Sequence, residues 1–249
     1  MKNFFYRFGL LLSFLIFSAL IIKSSPYREL RPYVVFMGKT SNSTDMPAIS
    51  NNGRISLYIP GNNEIESFYI EQIPVTIQAY KHCIASGYCQ TQHYRNNYAK
   101  FWNSSLSLYN SFPVTFVTWM EAQTYCKAYG GDLPSEAQWK LAAGSDFKYD
   151  YPWGNSLPTI SRANIDGFYQ WLTPAGWLPS GASPFGILDM TGNVREWVLD
   201  EIFEDNDNKL LKGGSDHDAF SDGMIDSSYN HGPTSSGFNR GFRCVFPAK

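Results

Sequence analysis

The sequence predicts an α+β fold: a single loop-rich domain with few short strands and two to three helices. Two observations carry this. Capping boxes at Thr118-x-x-Glu121 and Ser135-x-x-Gln138 open two consecutive helices. In each, the hydroxyl accepts from an amide of the first turn and the Glu or Gln reaches back. After Asp146 the chain turns irregular, with Gly, Pro and Trp spread across 151–187 and strand-like runs only at 197–199, 210–212 and 242–246. Helices followed by a long, loop-rich stretch with few strands is an α+β pattern.

The elements follow in order. Residues 1–30 stand apart from the domain, which is expected over 31–249. Lys2 and Arg7 precede an apolar run from Phe8 to Ile22, followed by Lys23, Ser24, Ser25 and Pro26. A charged start and about 15 apolar residues read as a secretory signal or a short membrane anchor. Export follows from either, to a periplasmic, extracellular or outward-facing location. Strands are expected at Val34–Met37, Ile55–Ile59 and Ser67–Ile70, each rich in β-branched or aromatic residues. Thr76 caps a helix to about Ser86, where Gly87 can take the left-handed conformation of a C-cap. The Thr118 helix runs to Tyr129 before Gly130-Gly131, and the Ser135 helix to about Ala143 before Gly144.

Composition removes several function classes. The chain has 249 residues, 43% of them apolar and 17% charged, with a formal charge of −2. Without Lys2, Arg7, Lys23, Arg28 and Glu29 the remainder is more acidic still. Such a domain has no electrostatic reason to seek nucleic acid or an anionic membrane. Its only membrane contact is expected through the N-terminal segment. The four cysteines allow three pairings, and in an exported domain they read as disulfides rather than metal ligands.

Several motifs, in register along the chain, resemble the formylglycine-generating-enzyme family of sulfatase-modifying factors. Phe36-Met37-Gly38 looks like its opening F-x-M-G. Phe68-Tyr69-Ile70 with Pro74-Val75-Thr76 and Tyr80 resembles its next segment. Pro113-Val114 and Val117-x-Trp119-x-x-Ala122-x-x-Tyr125-Cys126 resemble a third, and Leu133 to Trp139 a fourth, followed by Tyr151-Pro152-Trp153-Gly154. Phe185-Gly186 through Met190-Thr191-Gly192-Asn193-Val194-Arg195-Glu196-Trp197 looks like F-G-L-x-D-M-x-G-N-V-W-E-W. Gly213-Gly214-Ser215 and Gly241-Phe242-Arg243 complete the set. The resemblance spans roughly residues 34–246 and implies a fold related to C-type lectins.

The resemblance also implies a reaction, and the residues argue against it. Family enzymes oxidise a substrate cysteine to formylglycine with copper held by two cysteines between G-G-S and G-F-R. Here Asp216 to Arg240 contains no cysteine. Asp218 and Gly223 stand near the expected places, and Asp is a hard oxygen ligand unsuited to copper(I). Copper and formylglycine synthesis are therefore not expected. Arg195 replaces the family's usual Trp, and Asp216 its aromatic after G-G-S. A structural calcium is implied at Asp189, Gly192, Val194 and Glu196, whose oxygen donors suit its large shell. Glu196 reads equally as a hydrogen-bonded structural carboxylate. A second family site would draw on Asn164 and Ile165, after which the loop departs from the pattern. The family joins the positions of Cys126 and Cys244, which leaves Cys83 and Cys89 as a local pair across Gly87; the rival for that pair is a copper or redox site.

Other catalytic patterns are weak. His82, His93, His217 and His231 form no metal-binding pair, although His217 lies between Asp216 and Asp218. The acidic run from Asp200 to Asp207 lacks EF-hand spacing and reads as a solvated loop. Two segments are rich in Tyr, Ser, Gly and Asn, the composition of adaptable contact surfaces. Residues 90–112 include Trp102; residues 216–240 include Asp216, His217, Asp218, Tyr229, His231 and Phe238. Some lectin-fold relatives in diversity-generating systems carry ligand-binding residues in the second of these intervals. The expected function is a ligand- or protein-binding accessory module with a protein, peptide or glycan partner. The alternative is an oxidoreductase or protein-modifying enzyme of the family with a non-cysteine centre.

Overall fold

Each capping box does what its spacing requires. The computed structural model describes residues 48–51, 53–90, 107–203 and 206–248, all within one unit of residues 43–249. Helix α1 (Ile77–Ala85) starts at Thr76, whose hydroxyl accepts from the Ala79 amide. Helix α2 (Trp119–Ala128) has both halves of the Thr118/Glu121 box, and α3 (Glu136–Ala143) both halves of the Ser135/Gln138 box. Gly144 closes α3 in the left-handed conformation at φ 107°, where a Cβ would be strained.

Each helix buries one stripe. Ile77, Tyr80 and Cys83 face inward from α1, Ala122, Tyr125 and Cys126 from α2, and Trp139, Leu141, Ala142 and Ala143 from α3. The three- and four-residue spacings put these side chains on one side of α1 and α2, while Leu141 widens the buried arc of α3.

Two four-stranded sheets carry the rest. The first has the order β1 (Ala48–Asn51), β2 (Arg54–Ile59), β3 (Phe68–Glu71) and β8 (Val245–Pro247). All its neighbours are antiparallel. The second has the order β6 (Ser228–His231), β5 (Asn206–Lys212), β4 (Arg195–Phe203) and β7 (Arg240–Gly241). Here β4 and β7 run parallel, with Arg195 opposite Arg240 and Glu196 opposite Gly241. Alternation explains the burial: Leu57 and Ile59 of β2 and Phe68 and Ile70 of β3 all face the core.

Strands β1, β6 and β7 were not expected from the sequence, and of the run expected at 242–246 only residues 245–246 are strand, in β8. The acidic stretch 200–207 is another difference. Expected as a solvated loop, it instead includes the facing ends of β4 and β5, where Glu201 pairs with Lys209. Asp200 accepts a hydrogen bond from the Glu136 amide at the start of α3. A carboxylate there satisfies an orphan N–H and complements the helix dipole.

The core has two parts. One gathers Tyr80, Val117, Tyr125, Trp197 and Phe242 around the Cys126–Cys244 bond. The other gathers Ile59, Ile70, Trp139, Met190 and Val198. Both expected disulfides are present: Cys83–Cys89 brackets the end of α1, and Cys126–Cys244 ties α2 to the segment before β8. Residues 1–30, the strand expected at 34–37 and the Phe36-Met37-Gly38 motif lie outside the described residues. Among the described residues, no helix is long and apolar enough to cross a membrane.

Candidate ligand-binding site

The site is built on the segment from Leu188 to Glu196 and the loop after Ser215. Gly192 must be glycine: its φ is +78°, and a Cβ there would meet the Asn164 carbonyl oxygen at 2.3 Å. The next residue, Asn193, is also left-handed at φ 64°. Its amide donates to the Asn164 carbonyl at 2.7 Å. Its side chain closes a two-bond clasp on Thr173, Oδ1 accepting from the Thr173 amide and Nδ2 donating to the Thr173 carbonyl. Asn193 therefore pins the irregular 164–173 loop, a role the sequence does not reveal.

Among the four residues expected to hold calcium, Glu196 has a prior engagement. It is 1% exposed. Oε2 accepts from Trp139 Nε1 at 2.8 Å and Arg243 Nε at 2.7 Å, and Oε1 accepts from Arg243 Nη2 at 2.7 Å. The remaining Arg243 donors reach the carbonyls of Glu71, Gln72 and Leu188. Every N–H of that guanidinium is thereby matched. Asp189 accepts from the Gly176 amide at 2.7 Å. Burial pushes its carboxyl up to about 6, against the pull of that amide and of Arg243. Gly192 donates its amide to the Gly213 carbonyl, and Val194 is buried. Asn164, on which a second family site would draw, has a buried Oδ1 that no donor among the described residues reaches.

The residues of 216–240 fall into three adjoining groups. Asp218 meets Arg195 edge to edge, Nε to Oδ2 at 2.8 Å and Nη2 to Oδ1. Its Oδ2 also accepts from the Ser215 amide and hydroxyl. Asp216 is 1% exposed, and its Oδ2 lies 2.8 Å from His217 Nδ1. Its buried Oδ1 finds no donor among the described residues, and burial raises its proton affinity. The His217 ring sits edge-on to Phe238, with centroids 6.4 Å apart.

The third group lies on β4, β6 and β7. The Arg195 guanidinium stacks over the Tyr229 ring at 3.9 Å. Arg240 donates through Nη1 to Ser235 Oγ at 2.7 Å and through Nη2 to His231 Nε2 at 2.8 Å. Because arginine cannot accept, His231 must offer a lone pair at Nε2 and carry its proton at Nδ1. Burial, with Arg240 and Arg195 beside it, lowers the proton affinity of His231 further.

The structure thus joins Arg195, Asp218 and Tyr229, and separately joins Asp216, His217 and Phe238. Trp102 lies outside the described residues. Sequence reasoning missed Ser215, Arg240 and Arg243 as site residues. The closing G-F-R was the one available signal for Arg243.

Comparison with known proteins fits this architecture. Residues 36–248 match the sulfatase-modifying factor enzyme 1-like domain. An inactive C-alpha-formylglycine-generating enzyme 2 of Bos taurus is 32% identical over 153 residues, 54% of this chain and 50% of that protein. A hercynine oxygenase of Mycolicibacterium thermoresistibile is 39% identical over 90 residues, 34% of this chain and 20% of that protein. The chain therefore spans about half of the first relative and a fifth of the second. The crystal structure of CarF superposes with a TM-score of 0.59 at 21% identity, over 74% of this chain and 88% of that one. The motifs from Phe68 to Arg243, both disulfides and the family match converge: this chain belongs to the sulfatase-modifying factor enzyme 1-like family.

Proposed function

We propose that the chain is an exported member of the family that does not make formylglycine and acts as a binding or accessory module for a protein, peptide or glycan. The observation that carries this reading is the fate of the cysteines. Asp216 to Arg240 contains none, and all four in the chain are joined in disulfides. Copper(I) prefers thiolate, and the interval offers it carboxylate and imidazole instead. Asp218, near the expected copper position, already holds Arg195 and Ser215. The bovine relative, named as inactive, supports the same reading. Export rests on the charged and apolar pattern of residues 1–30, and paired cysteines are in keeping with an oxidising compartment.

The test is direct. Purified protein is incubated with copper and a C-x-P-x-R peptide, and aldehyde is measured. No aldehyde above a no-protein control is expected; aldehyde that depends on the protein overturns the proposal. An enzyme with a non-cysteine centre is the second reading, favoured by the buried Asp216 carboxylate against the exposed His217 ring.

Calcium binding by the 189–196 segment is a further part of this reading. Asp189 and the carbonyls of Gly192 and Val194 are oxygen donors of the kind calcium takes. Glu196 would have to share its carboxylate with Arg243.

A further inference from the structure

Two guanidinium groups lie side by side where β4 meets β7, and the carboxylates around them do not divide evenly. Arg195 and Arg240 are register partners on the parallel pair. Arg195 takes Asp218 in a bidentate ion pair. Asp216 faces His217. Asp222 accepts from the Ala219 amide and interacts with the Tyr229 hydroxyl. No carboxylate among the described residues pairs with Arg240. Its partners are a serine hydroxyl and a neutral imidazole, and its buried Nε finds no acceptor among the described residues.

This is an expensive arrangement for a cation. The group is half-buried and beside a second guanidinium, and arginine cannot shed its proton to escape the cost. Repulsion from Arg195 and loss of water both act against it. A hydrogen-bonded anion on the Nη side would relieve both, and the residues are arranged to receive one. Nη1 gives one N–H to Ser235 Oγ and Nη2 gives one to His231 Nε2 on β6, so each nitrogen keeps a second N–H that neither of these partners uses. The Tyr229 ring stacks under Arg195, and Phe238, two residues before Arg240 in the chain and against His217, is 43% exposed.

We propose that Arg240, with Ser235 and the Arg195–Tyr229 stack beside it, forms a binding site for a carboxylate group of a ligand. The charge balance selects the class. Asp218 and Asp222 lie beside the Arg195–Tyr229 stack, so a phosphate dianion would meet repulsion there that a single negative charge meets far less. The planar carboxylate also matches the guanidinium fork. The proposal gives the binding reading above a ligand chemistry and rests on it; its failure and that of the binding reading are separate events. A positive aldehyde assay would remove the accessory reading and leave the carboxylate site untouched.

The experiment uses the whole protein and benzoate as the probe, with phosphate at matched ionic strength as the contrast. Benzoate is expected to raise the melting temperature and to shift the Arg240 Nε–H signal in an arginine-selective NMR spectrum. Arg240→Met is expected to weaken benzoate binding about tenfold or more. Arg240→Lys, which keeps the charge but loses the fork, should fall between the two. If Arg240→Met does not fold, the lysine variant and the wild-type NMR shift decide. Benzoate binding that is absent, or equal in the wild type and the arginine variants, overturns the site. Tighter binding of phosphate than benzoate overturns the carboxylate assignment. An amidated and a free-acid form of one short aromatic peptide then separate a peptide C-terminus from a free organic acid as the source.

Discussion

Arg243 and Glu196 meet edge to edge inside the protein, Nε to Oε2 and Nη2 to Oε1, both at 2.7 Å. Neither side chain has more than 1% of its surface exposed. Removing one member leaves the other charged and unpartnered in the core. Glu196→Ala is expected to cost about 3–5 kcal/mol, measured by denaturant unfolding. Glu196→Gln keeps one acceptor and should cost less. Two variants that each unfold like wild type would show that the pair contributes nothing.

The two disulfides should differ in weight. Cys126–Cys244 closes a loop of 118 residues and Cys83–Cys89 one of 6. In the chain-entropy model these contribute about 5 and about 2 kcal/mol. Cys126→Ala with Cys244→Ala is expected to lower stability more than Cys83→Ala with Cys89→Ala. The opposite order in urea midpoints would mean that denatured-state compactness, rather than loop length, sets their contributions.

His231 makes stability depend on acid. Burial and the facing cations Arg240 and Arg195 lower its proton affinity below 6.5, and Lys209 is its register partner on β5. Unfolded, it binds a proton in a range where the folded protein refuses one. Its contribution is therefore intact above the unfolded value and is lost as pH falls below about 6.5. His231→Gln keeps an acceptor for Arg240 without titrating. The variant should lose less stability than wild type between neutral and mildly acidic buffer. Parallel stability-against-pH curves for the two proteins would refute the assignment.

Calcium at the 189–196 segment predicts a lower melting temperature in chelator, restored by added calcium. Asp189→Asn should abolish the difference while keeping a group that accepts from Gly176. A melting temperature insensitive to chelator in the wild type rules the ion out. In that case Asp189 and Glu196 serve only the protein's own hydrogen bonds.

The local features were legible because their partners are close in sequence. Thr118 finds Glu121, Ser135 finds Gln138, and Gly144 needs only its own φ. The disulfides were legible once the chain was set against the family frame. What was missed is non-local. Arg243 bonds to a carbonyl 172 residues away, and Arg240 meets Arg195 only because β7 lies parallel to β4. Strand β6 has the sequence Ser-Tyr-Asn-His and alternates exposed with half-buried residues at a sheet edge. It offers no apolar period to read. In the acidic run the charge did mark solvent, since Glu201 and Asp207 are exposed, but they lie in strands rather than a loop, and Asp200 holds a helix start and Glu201 a lysine across the hairpin.

Arg243 lies between β7 and β8 yet bonds to the Glu71 carbonyl at the end of β3 and to the Glu196 side chain on β4. Those strands belong to different sheets. Neither sheet can open far without pulling a charged fork from the other's acceptors. The amides of β3 and β4 should therefore exchange with deuterium through one shared event, at one free energy, rather than as two units that breathe in turn.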